Sequence, residues 1–231
     1  MKSTNKIFLF TPLALQTAIW PITRPALKFF VHLKVEGLDR LKNLPKGAIF
    51  ASNHSSEMDP ILIPASLPFL SRFMPIFYVS RPKSFYNNSG WRQFCYGGFF
   101  FKLWGAHSAI SGKRDYGIAL SPHTHIVLKH KSMLIFPEGR KTKTGDIVYD
   151  EAHGGVAFLA EKTGLPIVPV RIKGAFGTTL KSFLLRKQKI TVSFGKPVYV
   201  SEIFDTSNPD NRGRNPYKIA SRRLLEIIGG M

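Results

Sequence analysis

From Val31 onward, short apolar runs of strand character alternate with segments of helical pattern, and this alternation narrows the fold more than any other feature. Strand-like runs lie near 31–36, 47–52, 73–79, 106–110, 133–136, 166–172 and 189–195. Helical patterns lie near 60–68, 84–103, 114–130, 151–163 and 216–228. The last opens at Asn215-Pro216 and closes at Gly229-Gly230, the usual asymmetry of helix ends. Such alternation predicts an α/β fold: a mixed, mostly parallel sheet of about seven strands flanked by helices. Reactive groups in such sheets gather where the strands end. Residues 205–214 read as a polar loop and the least ordered part of the chain. No repeat or low-complexity block is present, and 231 residues suffice for one sizeable domain.

The first thirty residues differ from the rest. Ile7 to Trp20 is apolar but shorter than the roughly 20 residues a membrane-spanning helix needs, and Pro12 interrupts it. Arg24 to Val31 mixes bulky apolar residues with cations. Residues 1–30 therefore read as one or two helices lying in a membrane interface, with Trp20 and the phenylalanines as anchors, and residues 31–231 as the α/β domain. A plain helix packed on the domain core is the alternative. A signal peptide would share the basic start at Lys2 and Lys6, but no small-x-small cleavage site follows.

Thirty-three Lys and Arg against 14 Asp and Glu give a formal charge of +19. A field of that sign attracts polyanions, meaning nucleic acid or an anionic bilayer. The cations run from Lys2 to Arg223 rather than forming one arm, and the aromatics sit in apolar runs rather than between cations. Without a nucleic-acid-binding signature, an anionic membrane surface is the expected partner and nucleic acid is not; a basic nucleic-acid-binding protein is the rival reading. The single cysteine, Cys95, excludes an internal disulfide and suits a reducing compartment. It sits in the aromatic run 91–96 and reads as packing. His123 and His125 lie in a helical pattern, where i and i+2 diverge, so no metal site is expected there.

Two segments carry chemistry. In Asn53-His-Ser-Ser-Glu-Met-Asp-Pro60, a histidine can accept a proton near neutral pH, and a carboxylate can fix which ring nitrogen does so. On a regular helix, five residues would leave His54 and Asp59 about 140° apart. They meet only if the chain turns, and the strand-like 48–52 followed by Asp59-Pro60 as helix start predicts that turn. The bland reading makes Asp59 a helix cap and His54 a half-buried loop residue. In Met133-Leu-Ile-Phe-Pro-Glu-Gly-Arg-Lys141, an apolar strand ends at Pro137, and Arg140, Lys141 and Lys143 follow, with Lys131 farther back. Gly139 lets backbone approach a ligand, and the cations suit a phosphate. A solvated basic turn is the plain reading of that run.

Together these segments resemble the glycerolipid acyltransferase superfamily, the 1-acylglycerol-3-phosphate O-acyltransferases in particular. Its Asn-His-x-x-x-x-Asp block is matched by Asn53, His54 and Asp59. Its Phe-Pro-Glu-Gly-x-Arg block is matched by Phe136, Pro137, Glu138 and Gly139, with Lys141 in the arginine's register and Arg140 before it. Leu165-Pro-Ile-Val-Pro-Val170 is similar to a later buried block, and Leu103-Trp-Gly-Ala106 to an intervening one, past which Lys113 or Arg114 stands near the family's arginine. Tyr78-Val-Ser-Arg81 resembles the region where relatives carry a phosphate-binding lysine. The likeness spans about residues 31–200.

The resemblance implies an acyl transfer from a thioester on coenzyme A or acyl carrier protein to a lysophospholipid, 1-acylglycerol-3-phosphate first among the acceptors, without a resident cofactor. His54, oriented by Asp59, is the expected base; Arg81, Glu138, Gly139, Arg140 and Lys141 are the expected acceptor-binding residues, with Glu138 orienting a cation or the turn. Main-chain amides at the turn before the helix are expected to hold the oxyanion. Ser55 and Ser56 lack the elbow motif of a nucleophilic serine. An N-terminal membrane attachment at the cytoplasmic face completes the expectation.

Overall fold

The computed structural model describes residues 7–86, 98–110, 112, 115–204 and 215–231. The expectations for Lys2, Lys6, Cys95, Lys113, Arg114 and loop 205–214 lie outside the described residues, as does the middle of the 84–103 helical pattern. All seven strands appear where the sequence puts them: β1 Lys34–Glu36, β2 Ile49–Ser52, β3 Ile76–Ser80, β4 Ala106–Ser108, β5 Ser132–Ile135, β6 Ile167–Lys173 and β7 Thr191–Phe194. They form one sheet in the order β1-β7-β6-β2-β5-β3-β4. β2 to β6 run parallel to one another, and β7 pairs antiparallel with β6 while pairing parallel with β1. The sheet is mixed and mostly parallel.

The helices among the described residues are α1 Ile7–Phe30, α2 Asp59–Ser66, α3 Phe99–Leu103, α4 Tyr116–Ala119, α5 Ser121–Val127, α6 Gly155–Thr163, α7 Leu180–Leu184, α8 Val200–Ile203 and α9 Pro216–Gly229. The helical pattern at 114–130 is split in two at Leu120. Pro122 supplies no N–H to the turn before it and sits in the first turn of α5, where none is needed. Strand alternation separates two cores. Ile49 and Ala51 of β2 join Met133, Ile135, Val156 and Leu224 on one face, whereas Phe50 joins Leu62, Leu134 and Val168 on the other.

The N-terminal segment is helical, as the sequence reading expects. It is one continuous helix of 24 residues with Pro12, Pro21 and Pro25 inside it. It packs against α2 and α3. Gln16, 5% exposed, is its main tie: its amide donates to the carbonyls of Ile76 and Trp104 at 2.8 and 3.0 Å and accepts from the Ile76 amide at 2.9 Å. Arg24 donates to the carbonyls of Ala65 and Ser66 at 2.7 and 2.8 Å, at the carboxyl end of α2, where the helix dipole favours a cation. The Trp20 indole donates to the Leu67 carbonyl at 3.1 Å. Phe10, Leu13, Ile22 and Phe29 remain on the outer face. No helix among the described residues is long and apolar enough to cross a membrane.

Candidate active site

Four adjacent parallel strands, β6, β2, β5 and β3, end on the same edge of the sheet, and their following segments build the site. Asn53 continues β2. Its side chain acts as a surrogate peptide, donating to the Ile172 carbonyl at 3.0 Å and accepting from the Ile172 amide at 2.8 Å. The chain then turns, and Asp59 starts α2 fully buried.

One oxygen of Asp59, Oδ2, receives the amides of Ser55 and Ser56 at 2.6 and 2.8 Å and lies 2.9 Å from His54 Nδ1. Since an ionised carboxylate only accepts, Nδ1 carries the hydrogen and Nε2 the lone pair. Among the described residues no hydrogen bond engages Nε2. The imidazole plane is set by Phe136, whose ring stacks on it at 4.0 Å between centroids and 16° between planes. The side chain is 18% exposed, enough to meet a ligand.

The second segment clamps the first. Glu138 accepts the His54 amide at 2.8 Å on one oxygen and the Val148 amide at 3.2 Å on the other, and the Thr142 amide donates to the His54 carbonyl at 2.9 Å. Glu138, 84 positions along the chain, and Thr142 beyond it thus hold both main-chain groups of His54. Glu138 is 2% exposed. Its carboxylate holds main-chain amides, in keeping with the expected role of orienting the turn. Burial pushes the Glu138 carboxyl above its ordinary pKa, partly offset by those amides and by the charges of His54 and Arg171.

The cations lie on the outer side of the same loop. Arg140 pairs with Glu151, and Lys141 with Glu57. Arg81, at the end of β3, donates to the Gly139 carbonyl at 2.8 Å and covers the Phe85 ring at 4.2 Å. Gly139 has φ +66°, and a Cβ there would lie 2.4 Å from His153 Cδ2. His153, absent from the sequence reading, lies against that turn and stays exposed on its other side, and partial desolvation together with the charges of Lys218, Arg81 and Arg140 holds its pKa below the usual value. A cavity of about 100 Å³ is lined by Glu138, Arg140, Lys141, Thr142, Lys143, Thr144, Val148 and Glu151. Neither His54 nor Arg81 lines it, so it belongs to the loop and not to the imidazole.

One expectation narrows and another stands. The amides of His54, Ser55 and Ser56 are all committed to carboxylates, which removes them as oxyanion donors. Ser55 and Ser56 are buried, and the Ser56 hydroxyl accepts from the Met58 amide at 3.2 Å, in line with their dismissal as nucleophiles. The roles of Asn53, Glu57, Glu151 and His153 escaped the sequence reading. Asn53 and Glu57 carried a signal there, the first as a member of the family block and the second as an acid between His54 and Asp59. His123 lies in α5, where its Nε2 meets the His107 carbonyl at 2.9 Å, and no metal-binding group of side chains is found among the described residues.

Residues 32–173 match the profile of the Acyltransferase family. The chain is 25% identical over 178 residues to a chloroplastic 1-acyl-sn-glycerol-3-phosphate acyltransferase of Brassica napus, a match covering 75% of this chain and 47% of that protein. A chloroplastic enzyme of the same description from Arabidopsis thaliana is also 25% identical over 178 residues, covering 75% of this chain and 45% of that one. The chain therefore spans about half the length of these curated relatives. The crystal structure of the 1-acyl-sn-glycerophosphate acyltransferase from Thermotoga maritima shares the fold, with a TM-score of 0.58 at 16% identity over 94% of this chain and 76% of that one.

Proposed function

The chain belongs to the acyltransferase family, its match running over residues 32–173, and on that premise we propose that it moves an acyl chain from a thioester to the hydroxyl of a lysophospholipid. The observation that carries this reading is the His54–Asp59 pair: Nδ1 is held at 2.9 Å and Nε2 is left with its lone pair at the end of β2. Nε2 removes the proton of the acceptor hydroxyl as its oxygen attacks the thioester carbonyl. A carbon–oxygen bond forms, the tetrahedral intermediate collapses, the carbon–sulfur bond breaks, and the imidazolium returns the proton to the leaving thiolate. General-base assistance of this kind is worth about 10²–10⁴-fold.

The acceptor is 1-acylglycerol-3-phosphate, as the names of the relatives favour. The donor is an acyl thioester on coenzyme A or acyl carrier protein. Arg81, Arg140 and Lys141 bind the phosphate. The latter two are paired with carboxylates on an exposed surface, where such pairs contribute about 0–1 kcal/mol, so a phosphate displaces them at little cost. The outer face of α1 with Phe99 and Phe100 of α3 rests on an anionic membrane surface, where acceptor and product both reside. The test is lipid mass spectrometry after mixing the purified protein with labelled acyl thioesters and a panel of lysolipids. His54→Ala is expected to abolish nearly all thioester consumption with fold and vesicle binding intact; near-wild-type turnover in that variant overturns the reading.

A further inference from the structure

The crossover from β6 to β7 has a surface that the site does not use. α7 is a single turn, capped by Thr179 and Ser182. Phe183 turns inward and stacks on Phe30 at 4.9 Å. Leu180 is thereby left 74% exposed, and Leu184 and Leu185 55% each. Isolated exposed leucines are ordinary, but Leu180 and Leu184 lie at i and i+4 on one face, and Leu185 follows directly.

Charge singles out the same segment. Between Glu161 and Glu202 the chain contains no acidic residue. Lys181, Lys187 and Lys189 are exposed, and none forms an ion pair among the described residues. Arg186 instead ties the crossover to α1, donating to the Phe29 carbonyl at 3.0 Å and lying 4.2 Å over the Phe29 ring. The crossover also touches the cationic loop, since a Cβ at Gly145 would lie 3.0 Å from the Phe176 ring. β6 is parallel to β2, so the segment leaves the sheet on the His54 edge.

We propose that residues 174–189 form a second bilayer-contact element, in which Leu180, Leu184 and Leu185 enter the apolar layer of an anionic membrane while Lys181 and Lys187 meet lipid phosphates. Apolar residues flanked by cations are the requirement for interfacial binding. The element deepens the acyltransferase reading and rests on it for the bilayer as acceptor source. Together with α1 it sets the membrane beside the His54 edge, so an acceptor reaches the imidazole without leaving the lipid.

The test uses the full chain and two sets of vesicles, one of phosphatidylglycerol with phosphatidylcholine and one of phosphatidylcholine alone. Leu180→Ser/Leu184→Ser and Lys181→Glu/Lys187→Glu are each expected to lower partition onto the anionic vesicles by about tenfold. The charge variant also loses the preference for anionic lipid. Melting temperature and turnover of a lysolipid presented in detergent micelles stay at wild-type values in both. Wild-type partition in both variants overturns the proposal. So does a wild type that is dimeric in solution and becomes monomeric in Leu180→Ser/Leu184→Ser, which makes the patch an interface between copies. Failure of the acyltransferase reading looks different: no turnover in micelles by the wild type, whatever its vesicle binding.

Discussion

An imidazole works as a base only while its tautomer and plane are held, and at His54 both are held by groups outside its own turn or five residues along it. Asp59 Oδ2 takes three donors, Phe136 sets the plane, and Glu138 and Thr142 grip the main chain. Asp59→Asn keeps the size but can aim its amide nitrogen at donors. The expected result is a fall in kcat of about 10²–10⁴-fold with an unchanged far-ultraviolet spectrum; steady-state kinetics on the folded variant check it. Glu138→Gln tests the clamp. An amide can accept from only one of the two main-chain N–H groups and sets its own NH₂ against the other, so a loss of about 2 kcal/mol is expected in a urea titration. Turnover should fall with it, because the His54 amide loses its anchor. The His54–Asp59 pair was legible because its spacing demands a turn and its neighbours supply one. Glu138 was legible only in part: the family block marks it as orienting a cation or the turn, but only the fold reveals the His54 amide waiting for it from another strand.

At the level of elements, the strands were legible because each apolar run is long enough to show and is bounded by turn residues. α7 and α8, at five and four residues, are shorter than two helical turns and leave no periodicity to read. The α4–α5 break hides for a different reason: the apolar pattern runs on across it, and Pro122, which sits in the first turn of α5, is the one mark of a new helix start. That break places His123 against β4. His107 and His123 are both buried, and burial pushes each down to about 4, with His123 and Lys102 also acting on His107. The unfolded chain binds these protons near pH 6.5, whereas the fold resists them until about pH 4. Stability is therefore full above about pH 6.5 and declines as pH falls toward 4, by on the order of 5 kcal/mol for the pair. Urea midpoints measured between pH 7 and pH 4 should show that slope. His123→Gln, which keeps a donor for the His107 carbonyl, should remove about half of it.

Across the whole molecule, the +19 charge and the outer face of α1 point toward one kind of surface, yet α1 also belongs to the fold. An interfacial anchor can be cut away without harm to the domain behind it. α1 cannot, because its inner side is a structural partner: Leu9, Pro12, Gln16 and Leu27 are buried, Gln16 satisfies the first residue of β3, and Arg24 closes the end of α2. Removing residues 1–30 would take away the partners of the Ile76 amide and carbonyl and the Trp104 carbonyl, at about 1 kcal/mol for each hydrogen bond lost, and would bare the apolar face of α2 to water. The expected result is a chain that no longer melts cooperatively, so its loss from vesicles would say nothing about membrane affinity. Substituting the outer face separates the two roles. Phe10→Ser/Ile22→Ser removes two side chains that are 67% and 71% exposed and should leave the melting temperature within about 2 °C, while weakening partition onto anionic vesicles by about tenfold. Calorimetry and vesicle sedimentation on the truncated and doubly substituted chains decide the matter. A truncated chain that melts sharply at the wild-type temperature would reduce α1 to an appendage, and an unchanged partition in the double variant would move the membrane contact off its outer face.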